Sequence, residues 1–244
     1  STWVEPDSAG NLRFGRAEGL YPESKGSVIW NGSASGVNLN KFDISGKVGW
    51  RAAIRAQYGL PERAVVFGFV GRITRDKGIN ELFAAARAVF ADCPDAWLLV
   101  VGGEELTPEV DMALYRWAQE EPRVIFCGST DVVEQYLSAM DVYILPSYRE
   151  GFGMVVVEAE AMGLPVIVTD IPGPTDAMIP NETGLLVKKA DADSLAAAMK
   201  ALAGNPEERQ RLGAAGRRFA AERFEQQRLF QAILRDRRHL LGEE

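Results

Sequence analysis

The sequence predicts an α/β fold built on a doubly wound, Rossmann-like parallel sheet. Two observations carry that prediction. Along residues 64 to 187, short apolar runs alternate with segments of helical periodicity. Within that stretch, residues 142 to 170 spell one strand–loop–helix–strand unit. Val142 to Leu145 is an apolar run stopped by Pro146, and a polar, glycine-bearing loop follows from Ser147 to Gly153. A helix is predicted from Met154 to Met162. Gly163 stops it, and Pro165 opens the next apolar strand.

The remaining elements follow in order. Residues 1 to 26 are polar and rich in Gly, Pro, Ser and Glu, and predict a linker with at most a turn of helix near Asn11 to Glu18. Ser27 to Trp30 reads as a short strand, and Asn31, Gly32 and Gly36 mark a loop after it. Ser45 is placed to cap a helix from Lys47 to Tyr58, with Trp50, Ile54 and Tyr58 facing inward. Ala64 to Val70 is apolar throughout, as a strand buried on both faces should be. Helix Ile79 to Phe90 and strand Trp97 to Val101 come next. Helix Glu109 to Gln119 should bury Trp117; strand Arg123 to Cys127 and helix Val132 to Met140 follow. Gly184 to Val187 is a short strand. Asp193 precedes the next helical run and reads as its N-cap. Helices from Pro206 to Glu222 and from Phe224 to Leu241 close the chain, the last with Phe230, Ile233, Leu234 and Leu241 on one face.

Composition narrows the function classes. The 244 residues are 47% hydrophobic and 25% charged, as in ordinary globular proteins, and no apolar run approaches a membrane span. A net charge of −7 argues against a nucleic-acid partner. Two cysteines, Cys93 and Cys127, lack metal-like spacing and point to a reducing, cytoplasmic setting, with Cys127 a small buried hydrophobe. The single histidine, His239, lies in the tail, which disfavours a histidine-based triad or metal site. The chain starts Ser-Thr-Trp, without an initiator Met or a signal peptide, and reads as a piece of a longer protein.

Two strand-to-helix loops carry the chemistry. In open parallel sheets such loops gather beyond the carboxyl ends of the strands, where ligands bind. The first, Gly71 to Gly78, holds three cations: Arg72, Arg75 and Lys77. Charge-assisted hydrogen bonds from such groups to a phosphate contribute roughly 1.5–3 kcal/mol each. The second carries Glu150, Gly151 and Gly153, with Glu158 eight residues beyond Glu150 in the helix. The glycines let backbone approach a ligand, and free N–H groups at the helix start attract an anion. A carboxylate one turn in can accept two hydroxyls, as from a sugar or ribose. Taken singly, each glutamate equally suits a solvated position in a first helical turn.

Glu150-Gly-Phe-Gly-Met-Val-Val-Val-Glu158, followed by Ala-Glu-Ala-Met-Gly-Leu-Pro-Val-Ile, resembles the E-x7-E motif of family 4 retaining glycosyltransferases of the GT-B fold. Gly71-Arg72 with Lys77-Gly78 resembles that family's diphosphate-binding pair. Asn31-Gly-Ser-Ala-Ser-Gly36-Val37-Asn38 to Phe42 resembles the family's entry into its C-terminal domain. Asn38 stands where Asp is commoner, and the inserted Gly-Ser form is similar to a branch that builds bacterial surface polysaccharides.

The resemblance implies the nucleotide-sugar-binding, C-terminal half of such an enzyme. Residues 1–26 would be a linker or remnant of the N-terminal half, and residues 27–222 the Rossmann-like domain. Residues 223–244 would form a helix crossing back to the missing half, with part of its apolar face exposed in its absence. Arg72 and Lys77 would hold the diphosphate, with Gly71, Gly151, Phe152, Gly153, Met154 and Val155 lining it. Glu158 would take the ribose, Glu150 the transferred sugar, and Cys127, Gly128 and Thr130 the base. The expected donor is a UDP-sugar, with no metal or other cofactor, and the acceptor a glycan or lipid-linked hydroxyl met through the N-terminal half. Arg75 and Asp76 would face solvent or pair locally.

Other readings are weaker on the same residues. Asp191-Ala-Asp193 matches a metal-binding D-x-D, but the capping reading suits it better. An epimerase of the same fold would need extra carboxylates and a histidine in the site. A nicotinamide-dependent dehydrogenase would need G-x-G-x-x-G after its first strand, whereas Gly151-Phe-Gly153 leads to Val156 deep in the chain. A non-enzymatic nucleotide-binding module would keep the loops without needing Glu150.

Overall fold

The computed structural model describes residues 3–33 and 35–242. Its centre is a six-stranded parallel sheet of order β3-β2-β1-β4-β5-β6. The strands are β1 (Val65–Val70), β2 (Ala96–Val101), β3 (Val124–Gly128), β4 (Val142–Leu145), β5 (Val166–Thr169) and β6 (Gly184–Val187). The order reverses between β1 and β4, which pair directly through Phe67 with Val142 and Gly68 with Tyr143. That reversal is the switch point at which doubly wound sheets open a ligand crevice.

The helices are α1 (Ala9–Ala17), α2 (Lys47–Gln57), α3 (Ile79–Asp92), α4 (Met112–Glu120), α5 (Val133–Ala139), α6 (Met154–Ala161), α7 (Ala192–Ala203), α8 (Pro206–Arg223) and α9 (Gln226–Leu241). Two cores flank the sheet. Tyr143 and Leu145 of β4 and Val166 and Val168 of β5 join α2, α5 and α6. Val142, Ile144 and Ile167, from the same strands, join α3, α4 and α7 on the other face. Successive strand residues point to opposite faces, so both parities must be apolar. Trp117 is half-buried at the edge of the second core, with its ring 6.2 Å from Phe90.

Several local expectations are corrected. Ser27 to Trp30 forms no strand: Trp30 adopts a positive φ of 54° and Gly32 closes a turn onto Ile29. Residues 1–26 hold more than a turn, because Ser8 caps α1 by accepting from the Asn11 N–H. Asp43, not Ser45, starts the turn leading into α2, accepting from the Ser45 N–H at 2.9 Å. Asp191, not Asp193, caps α7 through the Ser194 N–H at 2.8 Å. The capping oxygen must reach an N–H two or three residues on, and Asp193 already lies inside the helix. Asp111 caps α4 for the same reason, so the helix begins at Met112 and not Glu109. By contrast, α9 buries Leu229 and leaves Phe230, Leu234 and Leu241 exposed, in line with the expected exposure of part of its apolar face.

Candidate functional site

The two loops singled out in the sequence leave β1 and β4, the neighbouring strands at the switch point. Backbone contacts hold them together. The Tyr148 N–H donates to the Asp76 carbonyl at 2.8 Å. Gly78, at φ 72°, packs so closely that a Cβ there would lie 2.0 Å from the Pro146 carbonyl oxygen. Glycine is therefore required both for the left-handed backbone and for the approach.

That approach brings Lys77 to Glu150. The Lys77 Nζ lies 2.6 Å from Glu150 Oε1, with side chains only 19% and 13% exposed. Arg72 leaves the same loop in another direction. It is 57% exposed and pairs at 2.7 Å with Glu105, in the loop after β2. Arg72 and Lys77 remain neighbours in charge: with the Thr74 hydroxyl bond as the main cause, both help hold the Asp76 carboxyl below its ordinary value. Arg75 pairs locally with Glu81 at 3.1 Å and stacks 4.2 Å over the Tyr148 ring.

Gly153, at φ 86°, opens α6, and no side chain caps that helix. Its first turn therefore offers backbone N–H groups and the positive end of a short dipole. Phe152 points the other way. Its ring is buried edge-on against Phe224, at 5.2 Å between centroids. It anchors the loop, so only its backbone is free to meet a ligand. Met154 is half-buried, its sulfur 2.9 Å from the Ser33 hydroxyl; Val155 is half-buried on the same turn.

Glu158 is half-buried one turn into α6. Burial pushes its carboxyl up to about 7; Lys41 pulls it down, and the neighbouring Glu134 adds to the rise. Glu134 is buried at the start of α5, 3.8 Å from Lys41. Tyr143, beneath both motif glutamates, is held far above its ordinary value by burial, with the charges of Glu150 and Glu158 contributing.

Of the three residues that the resemblance assigns to the base, Cys127 and Gly128 end β3, and Thr130 lies in the loop after it. Cys127 is half-buried, and burial pushes its thiol up to about 11, so it is a neutral wall group. Gly128 is exposed at φ 70°, and the Thr130 hydroxyl accepts from the Val132 N–H at 3.2 Å. β3 is separated from β1, the strand leading into the Lys77 loop, by β2.

Sequence reasoning missed the groups behind the glutamate loop. The Asn11 amide donates to the Gly151 carbonyl, and the Gly10 N–H donates to Asp176 Oδ2 at 2.8 Å. It also missed Lys41 and Glu134 beside Glu158. None of these carries a motif; they meet the site only through tertiary packing.

The family described as Glycosyl transferases group 1 matches residues 51–219. The chain is 30% identical over 215 residues to the capsular polysaccharide biosynthesis glycosyltransferase CapM of Staphylococcus aureus, covering 88% of this chain and 55% of CapM. It is 35% identical over 210 residues to a D-inositol 3-phosphate glycosyltransferase of Saccharomonospora viridis, covering 82% of this chain and 47% of that protein. The chain thus spans about half the length of these relatives. Sucrose-phosphate synthase from Thermosynechococcus elongatus superposes with a TM-score of 0.81 at 30% identity, over 99% of this chain and 59% of that one. Anabaena HepE, solved with UDP and glucose, superposes at 0.81 and 21% identity over 97% and 62%, a likeness of fold.

Proposed function

Because this chain belongs to the group 1 glycosyl transferases, with the GT-B fold, we propose that it is the donor-binding half of a retaining hexosyltransferase. The donor is a nucleotide diphosphate sugar, read as a UDP-sugar, and the acceptor a hydroxyl of a glycan or lipid-linked glycan in polysaccharide or glycoconjugate synthesis. The HepE complexes with UDP and UDP-glucose, and the name of CapM, support that choice. The setting is cytoplasmic. Among the described residues, no helix is long and apolar enough to cross a membrane.

The observation that carries this reading is the Lys77–Glu150 pair at the switch point, beside the uncapped start of α6. Lys77 and Arg72 meet the diphosphate, and the first N–H groups of α6 receive the remaining phosphate oxygens. Glu158 accepts the ribose hydroxyls, and the backbone at Cys127, Gly128 and Thr130 faces the base. Glu150 holds hydroxyls of the transferred sugar. As the bond from the anomeric carbon to the phosphate oxygen breaks, negative charge gathers on the diphosphate. Lys77 and Arg72 are fixed cations where that charge develops. The acceptor hydroxyl passes its proton to the departing phosphate oxygen and bonds the anomeric carbon on the same face. This assigns the chain positioning and electrostatics, without a metal.

The acceptor pocket belongs to the remainder of the enzyme, so this chain alone binds nucleotide and transfers little sugar. Calorimetric or NMR titration with UDP, GDP and ADP tests the reading. UDP should bind at ~0.1–1 mM, a modest free energy suited to half a cleft, and Lys77→Ala should weaken it. Absence of binding by all three nucleotides, or binding indifferent to Lys77→Ala, overturns it.

A further inference from the structure

Residues 3–33 do not trail away from the domain. They lie across the loop that carries Glu150. The Asn11 amide donates to the carbonyl of Gly151, the residue after Glu150. The Gly10 N–H donates to Asp176 Oδ2 at 2.8 Å, and Arg13 lies 3.7 Å from the other oxygen of that carboxylate. Asp176 ends a short turn opened by Gly173. That turn presses on the glutamate loop from the β5 side: a Cβ on Gly173 would lie 2.7 Å from the Gly151 oxygen and 3.0 Å from the Glu150 oxygen. Further along, Ser33 donates its N–H to the Asp7 carbonyl at 2.6 Å, and its hydroxyl meets the Met154 sulfur. The segment is thus tied at both ends of the loop, at Gly151 and at the first residue of α6.

The Gly151 carbonyl is the informative contact. Gly151 is exposed and has no side chain, so the orientation of its peptide depends on what touches its carbonyl, namely the Asn11 amide on one side and the backbone of Gly173 on the other. A trans peptide points its N–H opposite to its carbonyl. Holding the Gly151 oxygen against Asn11 therefore fixes where the Phe152 N–H points. It also fixes the direction in which the chain enters Gly153 and the uncapped turn of α6.

We infer that Asn11 is a positioning residue of the donor site, locking the Gly151–Phe152 peptide in one orientation so that the start of α6 faces the terminal phosphate of the donor. This rests on the donor-site reading above. Asn11 itself is half-buried in α1, which is anchored independently by its Ser8 cap and the Gly10–Asp176 bond. Loss of the amide should therefore alter the loop more than the fold.

The test is titration of the chain with UDP and with UMP, which shares the base, ribose and first phosphate but lacks the second. Wild type, Asn11→Ala and Lys77→Ala are compared, with thermal melting as control. Asn11→Ala should weaken UDP about five- to tenfold, the equivalent of one hydrogen bond, leave UMP within about twofold, and keep a cooperative transition. If Asn11→Ala fails to fold, Asn11→Asp, of equal volume but unable to donate, carries the same comparison. Unchanged UDP binding by the Asn11 variant, with Lys77→Ala impaired, overturns this inference and leaves the donor site standing. Equal weakening of UDP and UMP also overturns it, because that is the mark of general loosening. Failure of UDP to bind wild type removes the donor-site reading and this inference with it.

Discussion

Lys77 and Glu150 neutralise each other across the switch point, Nζ to Oε1 at 2.6 Å, although each is assigned to a different part of the donor. On the proposed donor assignment, an arriving diphosphate would draw Lys77 away from Glu150 and release the glutamate. In the structure the pair keeps two half-buried charges matched.

Glu150→Gln separates the two roles. It removes the competing anion, so UDP should bind as tightly as to wild type or a few-fold more tightly. In the complete enzyme, sugar transfer should fall by roughly 10²-fold or more, as when a group aligned with the reacting centre is lost. UDP titration beside a transfer assay checks both halves. Weakened UDP binding would show that Glu150 supports the phosphate site itself.

Glu158 sets the pH dependence. Burial first, and Glu134 second, raise its carboxyl from the ordinary 4.5 to about 7, against the pull of Lys41. On the proposed assignment of Glu158 to the ribose, its ionised form would accept both hydroxyls. Nucleotide affinity should therefore fall as pH drops from 8 to 6, by up to about tenfold per unit below the Glu158 value. In the empty chain the sign is opposite. The folded state holds a proton that the unfolded state has released between pH 4.5 and about 7, so the Glu158 contribution to stability declines across that window as pH rises. Glu158→Gln should flatten both dependences relative to wild type, in titrations and urea melts at matched pH.

Strand and helix positions were legible because both sheet faces are buried, which makes β1, β4 and β5 unbroken apolar runs. The two loops were legible as strand-to-helix connections, and Lys77 and Glu150 stood out within them through the resemblance of their motifs to a known family. What escaped was set by tertiary partners. The Ser27–Trp30 segment has β character but ends in a turn, with Trp30 at φ 54° and the Gly32 N–H donating to the Ile29 carbonyl. Asn11 lies 140 residues from the carbonyl it holds. Phe152 sits within the motif yet turns inward, because Phe224 closes over it from the far end of the chain.

Gly78 should be the least replaceable residue of the first loop. Gly78→Ala places a methyl group 2.0 Å from the Pro146 oxygen at a φ of 72°. Backbone must shift on both loops, which should cost at least ~2 kcal/mol of stability. The same shift parts Lys77 from Glu150, so UDP affinity should fall even in protein that remains folded. Urea melts and UDP titration of the purified variant check the two effects separately.

Asp141 lies just before β4 and serves the fold. Its two oxygens accept from Arg51 at 2.6 Å and Arg55 at 2.7 Å, and one also accepts from the Val66 N–H at 2.7 Å. Arg55 is buried and also donates to the Ala64 and Ala139 carbonyls. The cluster ties α2 to the starts of β1 and β4, at the end of the sheet opposite the cleft. Asp141→Ala leaves a buried guanidinium without its counter-charge, a loss of about 3–5 kcal/mol. Because the cluster is remote from Lys77 and Glu150, the folded fraction should bind UDP with near wild-type affinity. Stability by urea melt and affinity by titration below the melting transition check that separation. Loss of UDP binding in folded Asp141→Ala would show that the two ends of β4 are coupled.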